Sequence, residues 1–254
     1  MALAAYRTRV SQLLQNPAAP TALYSTSILD GYINQARGQV AAEAECCRII
    51  GTLSTVAGQR SYNFYEIDIG VSADTGCTGI INVRSVLYNI ASGQQWVTPR
   101  AWDWFTLYCL NNVVPQNGLP ETWAQYRQGA GASQQTMSNA SGSIYLDPPP
   151  DLVYTLNCDC TCYPLDLADD TTAEAIPYLW TDAVAYFAAY LALLSAQTSV
   201  RMNDAQRMLQ LYGEFMARAR QFSNPSTLRY MYQQAQDTTQ VNKLGLQPKA
   251  AGTG

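Results

Sequence analysis

The chain contains no histidine. That removes the commonest general base, the base partner of serine and cysteine nucleophiles, and the commonest metal ligand. Lysine is almost as scarce: Lys243 and Lys249, both in the last dozen residues, are the only two, and the other thirteen basic residues are arginine. Arginine suits fixed, bidentate, partly desolvated pairing. These cations therefore read as structural or interface pairs, with ordinary surface charge the plainer reading of any single one. Charged residues make up only 13% of the sequence, about half of the usual share. Their place is taken by Gln, Asn, Ser, Thr and 17 tyrosines, a polar but weakly charged surface of the kind that protein interfaces tolerate. The net charge of −4 argues against a general electrostatic grip on nucleic acid.

Also missing are a GxxxxGK phosphate loop and a GxSxG elbow. The longest strongly apolar run, AVAYFAAYLALL at 183–194, is too short to span a bilayer, so no membrane is expected. The N-terminal stretch MALAAYRTRVSQLLQ lacks the apolar core and cleavage site of a secretory signal. A cytoplasmic origin with reduced thiols is the expectation for the seven cysteines.

Periodicity divides what is present. Leu3, Tyr6, Val10 and Leu13 have helical spacing up to Asn16-Pro17, and Leu29, Ile33, Ala36, Val40 and Cys47 line one stripe of a longer helix. From Gly58 the period changes to two, as in SYNFYEIDIG and INVRSVLYN, so 60–165 reads as a sheet. The stretch TPRAWDWFTLYCLNN at 98–112 fits a short helix or an aromatic strand equally, and 128–143 is a loop by composition. Helices return after residue 165. Thr171 and Glu174 have capping-box spacing, and Pro177 suits a first helical turn. Trp180, Val184, Phe187, Leu191 and Leu194 form a stripe, Asn203 with Gln206 caps the next helix, and Leu209, Tyr212 and Phe215 carry its apolar face. A short helical turn, PSTLRYMYQQ, follows.

The expected architecture is α+β. It is a helical bundle made from N-terminal helices (1–57) and a C-terminal antiparallel helix hairpin (166–235). A β-rich region (58–165) is inserted between them, and an extended tail (236–254) follows. The expected hairpin core is Trp180, Val184, Phe187, Leu191, Leu209, Tyr212 and Phe215.

The conspicuous motif is NCDCTCYP at 157–164. Leu152, Tyr154, Leu156, Cys158, Cys160 and Cys162 occupy alternate positions, so the cysteines continue the apolar face of one strand. Side chains at i and i+2 of a strand stand roughly 6.5–7 Å apart, a poor arrangement for a tetrahedral zinc or for a disulfide among themselves. Core packing is the expected role, and no cofactor or metal is expected. Cys46, Cys47, Cys77 and Cys109 show no paired ligand spacing. Asp169 and Asp170 precede a helix start and read as capping rather than acid-base groups. No residue is assigned a catalytic role.

GLPETWAQYRQG at 118–129, SIYLDPPPDLVYTLNC at 143–158 and PLDLADDTTAEAIPYLWTDAVAYFAAYLALL at 164–194 follow one another in the chain. This order resembles the head-to-tail adaptor, or head completion, proteins of tailed bacteriophages. They share a G-x-P aromatic segment, a strand entering P-x-P-D, a strand leaving it, a Leu-plus-acidic stretch and I-P before an Ala-rich helix. The resemblance implies a structural virion protein, not an enzyme, made in the bacterial cytoplasm and placed in the neck. It would form a homo-oligomeric ring, usually a dodecamer, between the portal protein and a downstream neck or tail protein. Genomic DNA would only pass through the channel. It also implies a C-terminal docking tail on the portal, here Lys243, Leu244, Leu246 and Lys249. A tail terminator or other neck component, and a cysteine-dependent hydrolase, remain as alternatives.

Overall fold

A computed structural model describes residues 2–17, 22–90, 93–110, 116–128, 142–195 and 199–223. Helix α1 (Leu3–Leu14) buries Leu3, Tyr6, Val10 and Leu14 at spacings of three and four. Helix α2 (Thr26–Ala44) starts where the Ser25 hydroxyl accepts the Ile28 N–H, and it buries Leu29, Ile33, Ala36, Arg37, Val40 and Ala41. Cys47 lies just beyond it, and β1 (Arg48–Ser54) begins at once.

The remaining strands are β2 (Ser61–Asn63), β3 (Cys77–Ile90), β4 (Gly93–Pro99), β5 (Thr122–Tyr126), β6 (Ser143–Asp147) and β7 (Thr155–Pro164). Together they form one seven-stranded sheet in the order β1-β7-β3-β4-β5-β6-β2. Pairing is antiparallel except between β4 and β5, which run parallel over two residue pairs. The β3–β7 ladder shifts register three times, and such bulges add local twist to a sheet.

The sheet curls into a half-barrel, and the segment after β2 reaches back to β1. After β2 the chain turns back, and Asp68 and Thr52 exchange both backbone hydrogen bonds at 2.8 Å. Gly51 allows this approach, because a Cβ there would lie 2.7 Å from Ile67 Cγ2.

A single turn α3 (Ser72–Thr75) precedes β3. After β4 come α4 (Trp102–Phe105) and a π turn (Thr106–Leu110), so the ambiguous 98–112 stretch is mostly helical over its described part, 98–110. After β7, an irregular segment leads to a 3-10 turn (Tyr178–Trp180) with Pro177 at its N-cap, then to α5 (Thr181–Ser195) and α6 (Ser199–Ser223). Helix α5 buries Ala183, Val184, Ala185, Ala188, Ala189 and Ala192, small side chains that let α1, α2 and α6 all pack on it.

The bundle with an inserted β region is therefore corrected. The fold is a mixed α+β arrangement built on a curled seven-stranded sheet, not a helical bundle with a C-terminal hairpin. Helix α2 packs on β7 as well as on α5, and one continuous core takes in residues of α1, α2, α5, α6 and the strands. The physical reason lies in β7: its inward face of Leu and Cys needs a cover, and α2 supplies it. Two cap assignments also change. Glu174 pairs with Arg37 rather than capping Thr171, and Asn203 lies inside α6 rather than at its start.

Candidate interaction surfaces

The interior shows what is left for the exterior to do. In β7, Leu156, Cys158, Cys160 and Cys162 are buried, with Gly51 and Ile49 of β1 opposite Cys158 and Cys160. Burial pushes the Cys158 thiol up and the Cys160 thiol up to about 12, so both stay protonated and unreactive near neutrality. Tyr154 is half-buried just before the strand. Leu152 departs from expectation: it precedes β7 in a bend and is 62% exposed. Iodoacetamide labelling of the native protein is expected to reach Cys46, which is partly exposed, while Cys158, Cys160 and Cys162 stay unmodified until the chain is unfolded. Rapid native labelling of the three β7 thiols would remove their core role.

The hairpin residues divide in the same way. Trp180, Val184 and Tyr212 are buried, Phe187, Leu191 and Phe215 are half-buried, and Leu209 is exposed on the far side of α6. Rings of Phe187 and Tyr212 meet at 4.9 Å, and Tyr186 lies 6.3 Å from Phe215. The Tyr212 hydroxyl also donates to Glu43 Oε2 at 2.9 Å, which fastens α6 to α2.

Sequence spacing did not reveal the ion pair that ties the irregular segment to the helices. Arg37 is fully buried on α2, and its Nη2 donates to Glu174 Oε1 at 2.7 Å. Its Nη1 donates to Leu165 O at 2.7 Å and to Asn34 Oδ1 at 3.2 Å. Beside this pair, burial first and the Glu174 charge second push the Tyr6 hydroxyl far above its usual range. Asp169 accepts the N–H and hydroxyl of both Thr171 and Thr172, contacts that hold its carboxyl below the usual range. That is a turn-stabilising role. Among the described residues, no group of three or more His, Cys, Asp or Glu is arranged to hold a metal, and no helix is long and apolar enough to cross a membrane.

The outer surface carries two apolar features on rigid supports. The first is the stripe formed by α4 and its π turn. Trp102, Phe105 and Cys109 face inward toward Ala124 and Tyr145, while Trp104, Leu107 and Tyr108 face outward at 37, 58 and 58% exposure. The Arg100 guanidinium stacks over the Trp104 ring at 4.6 Å, and the Trp104 and Tyr108 rings lie 5.1 Å apart. A helix with apolar residues on both sides has one side too many for a monomer. Trp, Tyr and Arg are also the residues that dominate binding energy at interfaces.

The second is a rim where Val56, Leu152 and Val153 stand exposed. Three loops fix it: Thr55 N–H donates to Tyr154 O, Gly58 N–H to Pro150 O and Gly118 N–H to Pro149 O, all within 2.8 Å. Pro149 and Pro150 are buried as the hinge of this rim.

A family model described as SU10 adaptor protein matches residues 1–239. The chain belongs to the SU10 adaptor protein family. No curated protein matches it. The family match takes in both apolar surfaces, the curled sheet and all six helices. It stops before Lys243, Leu244, Leu246 and Lys249, and these four tail residues also lie outside the described residues. So does the PSTLRYMYQQ turn. An adaptor family implies interaction with other phage proteins, and the two exposed apolar surfaces are the candidates for it.

Proposed function

We propose that the protein is a structural component of the virion neck. Copies form a ring, a dodecamer by family resemblance, between the portal and the next neck or tail protein, and they extend the DNA channel. The observation that carries this reading is the adaptor-family match over residues 1–239. The exposed α4 stripe supports it, and we place that stripe at the contact between neighbouring copies. A weakly charged, net acidic chain also suits a channel that must not retain DNA. In this reading 1–57, 58–165 and 166–235 act as one body, and 236–254 is the arm that docks on the portal through Lys243, Leu244, Leu246 and Lys249. The arm lies almost wholly beyond the family match, and its docking role rests on the resemblance to head-to-tail adaptors.

Sedimentation with purified portal rings tests both parts. Full-length protein is expected to add to the portal as a stoichiometric ring, and a chain ending at Ala235 is expected to fail to add. Addition by both chains would remove the docking arm and keep the adaptor. Addition by neither would remove the portal as partner and favour a tail terminator.

A further inference from the structure

The cysteines are the one sequence motif that the adaptor role leaves unused. All seven are thiols, and four of them converge where β7 ends. Cys162 lies on β7 and donates its backbone N–H to Cys47 O at 2.9 Å. Cys47 follows Cys46, and its Sγ contacts Ala175 O at 3.5 Å. Cys77 opens β3 opposite Pro164, and the register shift between Cys77 and Gly79 brings Ile80 opposite Cys162. Cys77 and Cys162 therefore stand diagonally on the same face of two neighbouring antiparallel strands. Each thiol is the first influence on the other's acidity, as neighbours on one face would be.

We propose that Cys77 and Cys162 are a reversible oxidation site, joined as a disulfide by hydrogen peroxide. A disulfide needs Cα atoms within about 7 Å and side chains that point together. The face and the diagonal provide the second condition, and the bulge beside Cys77 gives the backbone freedom to meet the first. Access follows from position. Both thiols are buried and the 173–175 segment packs on Gly76, so that segment and the end of the two strands have to part to admit peroxide.

In the chemistry, the Cys77 thiolate attacks one peroxide oxygen and breaks the O–O bond. Hydroxide leaves and is protonated to water, and Cys77 becomes a sulfenic acid. The Cys162 sulfur then attacks the Cys77 sulfur, the S–O bond breaks, and a second water departs with the Cys162 proton. Two thiols and one peroxide give one disulfide and two waters, with two electrons passing from sulfur to oxygen. Cys77 opens β3 beside the α3 turn, at the end that parts first, and is therefore the attacking partner. The three cysteines of β7 are too far apart to pair with one another, so the outcome is a single bond across strands rather than scrambling within one.

The bond would staple β3 to β7 and close the loop 78–161, at the point where the register already slips. For a particle component that leaves a reducing cell, a consequence that rests on the reading above, oxidation would lock the subunit after release.

The experiment uses the purified full chain and does not depend on its place in a virion. Protein treated with peroxide is alkylated, mapped without reduction and melted. The expected result is a peptide linked through Cys77 and Cys162, a melting temperature raised by about 5–15 °C, and reversal of both by dithiothreitol. Cys77→Ser is expected to abolish both, and Cys46→Ser to leave both intact. If the variant fails to fold, the wild-type map alone decides. No linked peptide, a different pair, or irreversible sulfinic acid at Cys77 overturns the proposal.

Discussion

Replacing Arg37 with leucine is expected to destabilise the protein by about 3–5 kcal/mol, the range for stripping one partner from a buried ion pair. The Glu174 side chain is only 8% exposed, and in the variant its carboxylate would face an apolar wall instead of a guanidinium. Leu165 O would lose the Arg37 donor, and Asn34 Oδ1 would keep the Leu167 N–H alone of the two it accepts. A domain holds only about 5–15 kcal/mol in all, so this one change removes a large share. The double variant Arg37→Leu with Glu174→Leu is expected to recover most of the loss, because the pair is then replaced by packing rather than broken. Urea unfolding of the three proteins measures both effects. A single variant within 1 kcal/mol of the parent would mean that the segment 165–174 is held by something other than this pair.

Trp104→Ala combined with Tyr108→Ala is expected to do the reverse, leaving the monomer intact and weakening assembly by roughly 30-fold or more. Both rings face outward, and truncating exposed side chains usually changes stability by less than about 0.5 kcal/mol. Phe105→Ala, one position along the helix and fully buried, is expected to cost about 3–5 kcal/mol of stability. Sedimentation and thermal melting of the two proteins separate the faces of one short helix. Unchanged ring formation by the double variant would show that neighbouring copies meet elsewhere, and the Val56–Leu152–Val153 rim would then be the next surface to test.

What could be read from the sequence follows physical scale. The alternation through Leu156, Cys158, Cys160 and Cys162 is local and complete, so the buried face of β7 was visible in the residue order. Helix α1 was nearly as plain: Leu3, Tyr6 and Val10 mark its stripe, and only the fourth position moves, from Leu13 to Leu14. Strand β1 was hidden. RIIGTLS follows a helix without a turn residue, its Gly51 speaks against a strand, and the reason for that glycine, the close approach of Ile67, lies outside the segment. The deep face of α5 was hidden for another reason. The stripe of large residues suggested Phe187 and Leu191, yet a helix packed on by three others needs small side chains at its most enclosed positions, and the alanines fill them. Arg37 and Glu174 stand 137 residues apart, and nothing local joins them. The stripe on α4 lay within view as an aromatic run, but only the fold shows that one side of it remains uncovered.

The seam between β4 and β5 is two residue pairs long. Across it run the backbone bonds from Thr98 N–H to Glu121 O and from Arg100 N–H to Trp123 O. The Gln125 side chain adds a clasp by accepting the Val83 N–H and donating to Asn82. Every other joint between β1 and β6 is a ladder of five or more pairs. In mechanical terms the sheet is two stiff plates on a narrow hinge, and the α4 stripe rides on the β5–β6 plate while the thiol face belongs to the β7 plate. Trp123, Ile144 and Leu146 of the β5–β6 plate share one core with the β7 thiols, so a pull on the stripe would be carried past this narrow seam by side-chain packing rather than by backbone hydrogen bonds.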